Sequence, residues 1–184
     1  MSKVLLHACC AVCAGYPLKL LQREGFEPVV YFYNPNIYPK QEHDRRYQEL
    51  VKYSLKERFE LIFGGFNPLD FENIALGLEN EPEKGRRCSR CFELRLVKSA
   101  MCAKDMGINF FTTTLTVSPH KSSSQIFEVA ENVATQYGLE FLKYDFKKHD
   151  GFKITQQIAR ENNMYKQTYC GCKYSIYKEI ESQV

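Results

Sequence analysis

The chain has 184 residues, of which 44% are hydrophobic and 26% are charged, and its formal net charge is +3. This composition excludes a disordered or collagen-like chain, and no apolar run reaches the roughly 18 residues of a membrane span. The first seven residues are too short an apolar run for a signal peptide, so we expect a cytoplasmic protein without a membrane segment. A chain of this length favours one domain spanning residues 1–184.

Short β-branched or aromatic runs alternate with amphipathic helical patterns along the chain. The first half predicts strands at 3–7, 28–33 and 60–63, and helices at 16–23 and 41–56. The second half predicts a helix at 89–106, a strand at 109–114, a helix at 122–137 and a strand at 140–144. This alternation favours an α/β fold: a mainly parallel, Rossmann-like or HUP-like sheet with helices on both faces.

Three polar segments come directly after predicted strands. Cys9 and Cys10 follow the first strand, residues 34–39 follow the second, and residues 112–121 follow the fourth. In open α/β sheets the ligand binds beyond the carboxyl ends of the strands. We therefore expect one crevice to collect all three segments.

The cysteines form the most informative pattern, because seven of the eight lie within three residues of another thiol. In a reducing cytosol, such clusters indicate metal binding or redox catalysis rather than structural disulfides. The clusters are Cys9, Cys10 and Cys13; Cys88 and Cys91; and Cys170 and Cys172. The eighth, Cys102, stands alone in a helical pattern and is predicted to be a buried thiol without a role.

The first two clusters are suited to hold a metal. Cys9 and Cys10 leave a strand, while Cys88 and Cys91 begin a helix after a polar stretch, 77–87, that is predicted to be a mobile loop. Helix N-termini lower thiol pKa values and so favour the thiolate form that metals bind. Thiolates from these segments suit an iron–sulfur cluster or zinc, and the pattern leaves that choice open.

The third cluster, Cys170-Gly171-Cys172, differs in kind. Two cysteines separated by one residue can close a small, strained disulfide, and strained disulfides are the labile, catalytic ones. The alternative is that the pair adds metal ligands or has no role. The segment that carries it, 165–184, is expected to pack on the same domain.

Several other polar residues have two explanations each. His7, in an apolar strand, fits a hydrogen-bonded core histidine better than a ligand. Residues 112–121 offer hydroxyls and a basic pair for phosphate or sugar, although helix capping explains the serines equally well. Asp145 and Asp150 are potential proton donors or cation ligands, or simply solvated. Four tyrosines either stack on a base or fill the sheet: Tyr31, Tyr33, Tyr38 and Tyr169.

Basic residues gather in three groups with aromatic residues nearby, which fits either solvated helix faces or a polyanion-binding surface. The net charge alone does not indicate nucleic acid binding. The groups are Lys40, Arg45 and Arg46; Lys84, Arg86, Arg87, Arg90 and Arg95; and Lys143, Lys147, Lys148 and Lys153.

Five motifs in order along residues 3–175 resemble those of the cobalamin-independent epoxyqueuosine reductase family. They are HxCCxxC after the first strand, NPNIYP after the second, RCSRCFELR, TTTLTxSPHK and QTYCGCKYS. The resemblance implies the last step of queuosine biosynthesis: two-electron reduction of epoxyqueuosine to queuosine at the wobble position of tRNA with a GUN anticodon. It implies no cobalamin, and it implies an external ferredoxin- or flavodoxin-like electron donor.

The resemblance also implies roles for individual cysteines. Cys9, Cys10, Cys88 and Cys91 would hold a [4Fe-4S] cluster, and Cys170 and Cys172 would form a redox-active pair. Cys13 is left to bind an additional mononuclear iron or to donate a proton. The chain departs from the family's frequent CCAPC motif, because Val12 stands where the proline would be. His120 and Asp150 are the predicted proton donors for the reaction.

Two other functions fit parts of the pattern. The α/β alternation is similar to that of nucleotide-dependent tRNA-thiolating enzymes, but the SGGxDS phosphate loop of those enzymes is missing after the first strand. The cysteines also fit a zinc-stabilised tRNA-binding module without catalysis.

Overall fold

Five parallel strands form the centre of the molecule in the computed structural model, which describes residues 1–176. Their order is β3-β2-β1-β4-β5, so the chain winds outward from a central β1 in both directions. The predicted parallel α/β sheet is confirmed. The strands are β1 Ser2–His7, β2 Phe26–Phe32, β3 Glu60–Phe63, β4 Phe110–Thr113 and β5 Glu140–Phe141.

Within residues 1–161, six helices and one 3₁₀ turn connect and cover the strands. The helices are α1 Ala11–Arg23, α2 Lys40–Glu57, α3 Pro68–Ala75, α4 Arg86–Asp105, α5 Ser123–Tyr137 and α6 Gly151–Glu161, and the 3₁₀ turn is Thr114–Val117. The sequence did not predict α3, α6 or the 3₁₀ turn. Asn67 caps α3 through its side chain, and α6 begins after Asp150 in a left-handed conformation, and both starts have the composition of a loop.

The last strand is shorter than the predicted 140–144. Beyond Phe141, the carbonyls of Leu142 and Tyr144 accept hydrogen bonds from the hydroxyls of Thr112 and Thr116, each at 2.8 Å. Side chains thus replace the backbone ladder, because the chain after β4 turns into the 3₁₀ helix instead of continuing as a strand.

The central strand β1 is buried on both sides, as is typical of a parallel sheet covered by helices. Leu5 packs on one face with Leu96 of α4 and Ile126 of α5, whereas Leu6 packs on the other with Leu18 of α1. Alternate side chains of one strand therefore enter two separate cores.

A buried histidine ties the strands together at their carboxyl ends. The Nδ1 atom of His7 lies 2.9 Å from the hydroxyl of Thr113 on β4, and its Nε2 lies 3.2 Å from the carbonyl of Tyr33 after β2. Burial and the nearby Arg95 guanidinium lower the pKa of His7 to about 3. The ring is therefore neutral, and the predicted core histidine is confirmed.

The described helices include none that is both long and apolar enough to cross a membrane.

Gly151, the first residue of α6, provides a test of how this helix is seated. A Cβ atom at Gly151 would lie 2.0 Å from the carbonyl oxygen of Phe146 and 2.7 Å from Tyr16. We expect Gly151→Ala to lower the free energy of unfolding by about 3 kcal/mol, because backbone must move. Gly65→Ala is the control: it has φ +85° but open space around it, and should cost only about 1 kcal/mol of backbone strain. Urea denaturation measures the free energy of unfolding of both variants. Equal decreases in the two variants would contradict the close packing at the start of α6.

Candidate functional site

Two adjoining cavities form one cleft at the carboxyl edge of the sheet. The larger has a volume of about 480 Å³ and the smaller about 80 Å³. Both are lined by Arg95, His120, Lys121 and Cys170. Six of the seven clustered thiols line this cleft. Cys9, which the strand-end rule placed here, and Cys13 lie in the larger cavity, Cys88, Cys91 and Cys172 lie in the smaller, and Cys170 lies in both.

Three thiols meet where β1 turns into α1. The Sγ atoms of Cys9, Cys10 and Cys13 lie within 4.8 Å of one another. Cys10 is the N-cap of α1, and its sulfur accepts the amide hydrogen of Cys13 at 3.4 Å. The Nε2 of Gln167 also donates to the Cys10 sulfur, at 3.0 Å. The first turn of α1 therefore brings the three cysteines of this sequence cluster into a compact group of sulfur atoms that could hold a metal ion.

The electrostatic setting favours one thiolate in this group. Hydrogen bonds from the Cys10 and Cys13 thiols, with the nearby Arg95 and Lys121 cations, hold the pKa of Cys9 well below its usual range. A hydrogen bond from the Cys13 thiol lowers the pKa of Cys10. The hydrogen bond from Cys10 to Cys9 and the burial of Cys10 outweigh that effect, and together they raise the pKa of Cys10 to about 12.

Cys88 and Cys91 occupy the first two turns of α4 and face the smaller cavity. Lys84 donates its amide hydrogen to the Cys88 sulfur at 3.3 Å. Burial raises the pKa of Cys88, and it raises that of Cys91 to about 11 even though Arg95 opposes the shift. The expected lowering by the helix N-terminus is therefore outweighed by desolvation at these two thiols.

The thiols thus fall into neighbouring groups. Cys13 lies with Cys9 and Cys10, as its sequence cluster predicted, although the ligand set implied by the resemblance leaves it out. Cys88 and Cys91 lie outside that three-thiol group and line the adjoining cavity. The ligand set Cys9, Cys10, Cys88 and Cys91 remains a prediction. The lone Cys102, predicted to be buried, is only partly buried and packs against the core from its edge.

A buried arginine holds the Cys170-Gly171-Cys172 turn against α2. Arg46 donates to the carbonyls of Tyr169 at 3.1 Å and Cys170 at 3.3 Å, and its Nε donates to Glu42 at 2.7 Å. The amide of Tyr38 donates to the Gly171 carbonyl at 2.8 Å. Two separate segments therefore fix the turn, which depends on the glycine because its φ is +108°.

The two thiols of this turn are unequal. A hydrogen bond from the Cys172 thiol, with the nearby Lys121 ammonium, holds the pKa of Cys170 well below its usual range, while the same hydrogen bond raises that of Cys172. Cys170 is exposed, and its sulfur lies 3.2 Å from the hydroxyl of Ser175. A thiolate beside a thiol is the arrangement that thiol–disulfide exchange requires.

Three arginines that the sequence grouped with possible surface charges are buried instead. Arg46, Arg87 and Arg95 are each no more than 3% exposed. Arg95 donates to the Oδ1 of Asn34 at 2.6 Å, and Asn34 in turn donates to the Ala8 carbonyl at 2.9 Å. For Arg46 a signal was available, because Glu42 lies four residues earlier on the same helix; residue type alone did not show the burial of the other two.

The threonine hydroxyls of residues 112–116 make hydrogen bonds within the fold, and Thr114 and Ser118 also line the larger cavity. Thr112, Thr113, Thr114 and Thr116 are fully buried. Each makes hydrogen bonds within the protein, including one from Thr114 to the Cys9 sulfur at 3.7 Å. His120 is exposed and lines both cavities.

The remaining predicted residues divide between the cleft and other places. Asp150 is exposed at the start of α6 and is not among the lining residues of either cavity, and Asp145 accepts from Ser123. Tyr31 and Tyr33 are buried in the sheet, whereas Tyr38 is 52% exposed. Tyr169 lines the larger cavity.

Buried polar atoms without a partner in the described part of the chain also mark the cleft. They include the Thr155 hydroxyl and the Gln167 Oε1 at the larger cavity, the Asn36 Oδ1 at the smaller one, and the Arg95 Nε. Sequence reasoning gave Asn36, Thr155 and Gln167 no individual role. Buried groups of this kind are normally hydrogen-bonded, so they indicate where polar groups of a ligand bind.

Comparison with known proteins gives one family. Residues 4–178 match the family described as epoxyqueuosine reductase QueH. A relative of that name from Streptococcus pyogenes is 37% identical over 94% of this chain and 69% of its own length. Another from Acinetobacter baylyi is 34% identical over 95% and 80%, and one from Dehalococcoides mccartyi is 35% identical over 97% and 94%.

One solved structure has a similar fold. It is described as a predicted subunit of a tRNA methyltransferase from Methanocaldococcus jannaschii, and the match has a TM-score of 0.60. It covers 88% of this chain and 75% of the other at 13% identity, so it supports the α/β fold alone.

Arg46 provides a test of how the cysteine turn is held. We expect Arg46→Met to lower the free energy of unfolding by about 3 kcal/mol, because Glu42 and two carbonyls lose their buried donor. Amide hydrogen exchange across residues 165–172 should become faster. The control is Arg45→Met. Arg45 lies on the same turn of the helix, is exposed, and stacks its guanidinium on Tyr165. Unchanged exchange in the Arg46 variant would show that the turn is held by other contacts.

Proposed function

This chain belongs to the epoxyqueuosine reductase QueH family of oxidoreductases, and from that premise we propose that it reduces epoxyqueuosine to queuosine at the wobble position of tRNA with a GUN anticodon. The reaction removes the epoxide oxygen as water and leaves an alkene. It is the last step of queuosine biosynthesis, and in this proposal it needs no cobalamin.

The observation that carries the proposal is the convergence of the thiols. Cys9 and Cys13 of the three-thiol group open into one cleft with the thiols of the smaller cavity, Cys10 lies against them, and Cys170 lines both cavities. Packing alone does not bring so many thiols to one functional edge of a sheet. A reductive reaction accounts for them.

The donor set fits a [4Fe-4S] cluster. Cys9 and Cys10 offer sulfur from a compact group, Cys88 and Cys91 offer sulfur from the start of α4, and Arg95 lies beside both groups. Thiolates are the ligands of such clusters, and a nearby cation balances their negative charge. When bound, the cluster would supply single electrons. Cys13, close to Cys9 and Cys10, would ligate an additional mononuclear iron or donate a proton.

The cysteine turn would supply electrons as a pair. Removing the epoxide oxygen takes two electrons and two protons. Oxidation of the Cys170 thiolate and the Cys172 thiol to a disulfide releases two electrons and one proton, and a separate acid supplies the second proton. The lowered pKa of Cys170 favours its thiolate as the reactive form. A ferredoxin- or flavodoxin-like donor would return the disulfide to the dithiol.

The lining of the cleft suits an anticodon base. His120 lines both cavities, so its position favours it over Asp150 as the group that donates a proton to the leaving oxygen. Lys121 and Lys166 place positive charge in the lining, and Tyr169 offers a ring for stacking. Anticodon bases are single-stranded, so binding needs no opening of a duplex. Membership of an oxidoreductase family disfavours a zinc-stabilised binding module and a tRNA-thiolating enzyme.

Iron and sulfide content tests the cluster. Protein purified without oxygen should be brown and contain about four irons and matching sulfide per chain. Cys88→Ser should lose most of this iron, because a predicted ligand is missing. Cys102→Ser is the control and should keep it, since that thiol packs against the core. A protein that contains zinc but no sulfide would contradict the proposed iron–sulfur cluster.

The dithiol has its own test. Replacing both Cys170 and Cys172 with serine should lower the rate of epoxyqueuosine reduction at least about 100-fold while iron content stays the same. Full turnover in the double variant would remove the dithiol from the mechanism without affecting the assignment of the cluster.

A further inference from the structure

Glu83 is the one carboxylate among the described residues that line either cavity, and it lines both. Its neighbours in the lining are strongly basic. The basic residues of the two cavities are Arg46, Lys84, Arg87, Arg95, His120, Lys121 and Lys166. The binding of tRNA phosphates does not explain a carboxylate in such a cleft, because a negative charge there would weaken phosphate binding.

The loop that carries Glu83 is held in place from two sides. The buried Arg87 donates through Nη1 to the carbonyls of Leu78, Glu79 and Glu81, at distances of 2.8 to 3.0 Å. Gln125 of α5 donates to the Lys84 carbonyl at 3.1 Å. These hydrogen bonds fix the backbone on each side of Glu83. The fixed backbone directs the Glu83 side chain towards the cleft.

The other glutamates of this loop have structural partners. Glu81 pairs with Arg86 at 2.7 Å, and Glu79 accepts the amide hydrogen of Gly77 at 3.1 Å. Among residues 1–176, the Glu83 carboxylate has neither a hydrogen bond nor a salt bridge. It is therefore available to accept hydrogen bonds from a cationic ligand.

The substrate offers such a cation, on the basis of the proposed function. In epoxyqueuosine a secondary amine joins the deazaguanine to the five-membered ring that bears the epoxide, and a dialkyl amine of this kind is protonated at neutral pH. The unmodified guanine of the same tRNA has no positive charge. A carboxylate that accepts from this ammonium would distinguish the two, and the epoxide ring next to the amine would lie close to the thiols of the cleft.

We propose that Glu83 is a specificity-determining residue that binds the secondary ammonium of the epoxyqueuosine side chain and so selects tRNA that already carries it. The contact is a charge-assisted hydrogen bond from the ammonium to the carboxylate. Glu83 acts in binding, and the proton for the leaving oxygen comes from another residue.

The test compares affinities for two tRNAs, one with epoxyqueuosine and one with guanine at the wobble position. Purified, iron-loaded wild-type protein should prefer the modified tRNA. In Glu83→Gln this preference should fall by about tenfold, entirely through weaker binding of the modified tRNA. The KM for reduction should rise by a similar factor while kcat stays unchanged. Glu83→Asp, which keeps the charge, should restore part of the preference.

The matched control is Glu79→Gln, which makes the same charge change on the same loop outside both cavities. It should keep the wild-type preference. A wild-type preference in Glu83→Gln, or a lower kcat with an unchanged KM, would overturn the role of Glu83 while leaving the reductase function intact. A wild-type protein that neither prefers nor reduces the modified tRNA would reject the proposed function, and the role of Glu83 with it.

Discussion

A buried positive charge without a carboxylate partner is the constraint on which the cleft depends. Arg95 is 3% exposed and donates to Asn34, and no salt bridge joins it to an acid within residues 1–176. A buried charge of this kind is costly unless negative charge lies nearby. The Cys9 thiolate supplies such charge, because Arg95 helps to hold the pKa of Cys9 low, and Arg95 also opposes the burial that raises the pKa of Cys91. The guanidinium and the sulfur centres therefore stabilise each other across the cleft.

The other two buried arginines hold irregular backbone segments, and Arg46 also pairs with Glu42. Arg46 holds the turn of Cys170 against α2, and Arg87 gathers three carbonyls of the loop before α4. Both act on irregular segments that have few backbone partners of their own. The planar guanidinium, with five donors, suits this task better than a lysine ammonium. The position of the Cys170 turn thus rests on a side chain 124 residues away in the sequence, whereas the position of Glu83 rests on one only four residues later.

The sequence predicted the parts of the fold that depend on periodicity. The apolar run of β1 and the helical patterns at 41–56 and 122–137 indicated a parallel sheet with covering helices, and the strand-end rule located the cleft. Periodicity could not show that Arg87 and Arg95 are buried, because a charged residue in a helix is the same letter whether it faces water or a carbonyl. Likewise, the spacing of Cys88 and Cys91 did not show that desolvation raises their pKa values.

The unequal sizes of the two cavities act as a filter on reactants. The volume of the smaller cavity, about 80 Å³, is well below the roughly 300 Å³ at which typical small-molecule sites begin. The sulfur atoms of Cys88, Cys91 and Cys172 are thus open to small molecules such as peroxide or dioxygen but closed to a tripeptide thiol. Mixed disulfides with glutathione would form first at the exposed Cys170. Small oxidants and cellular thiols would therefore react at different sulfur atoms of the same cleft. Sensitivity to air would depend on the smaller cavity, and sensitivity to thiol buffers would depend on Cys170.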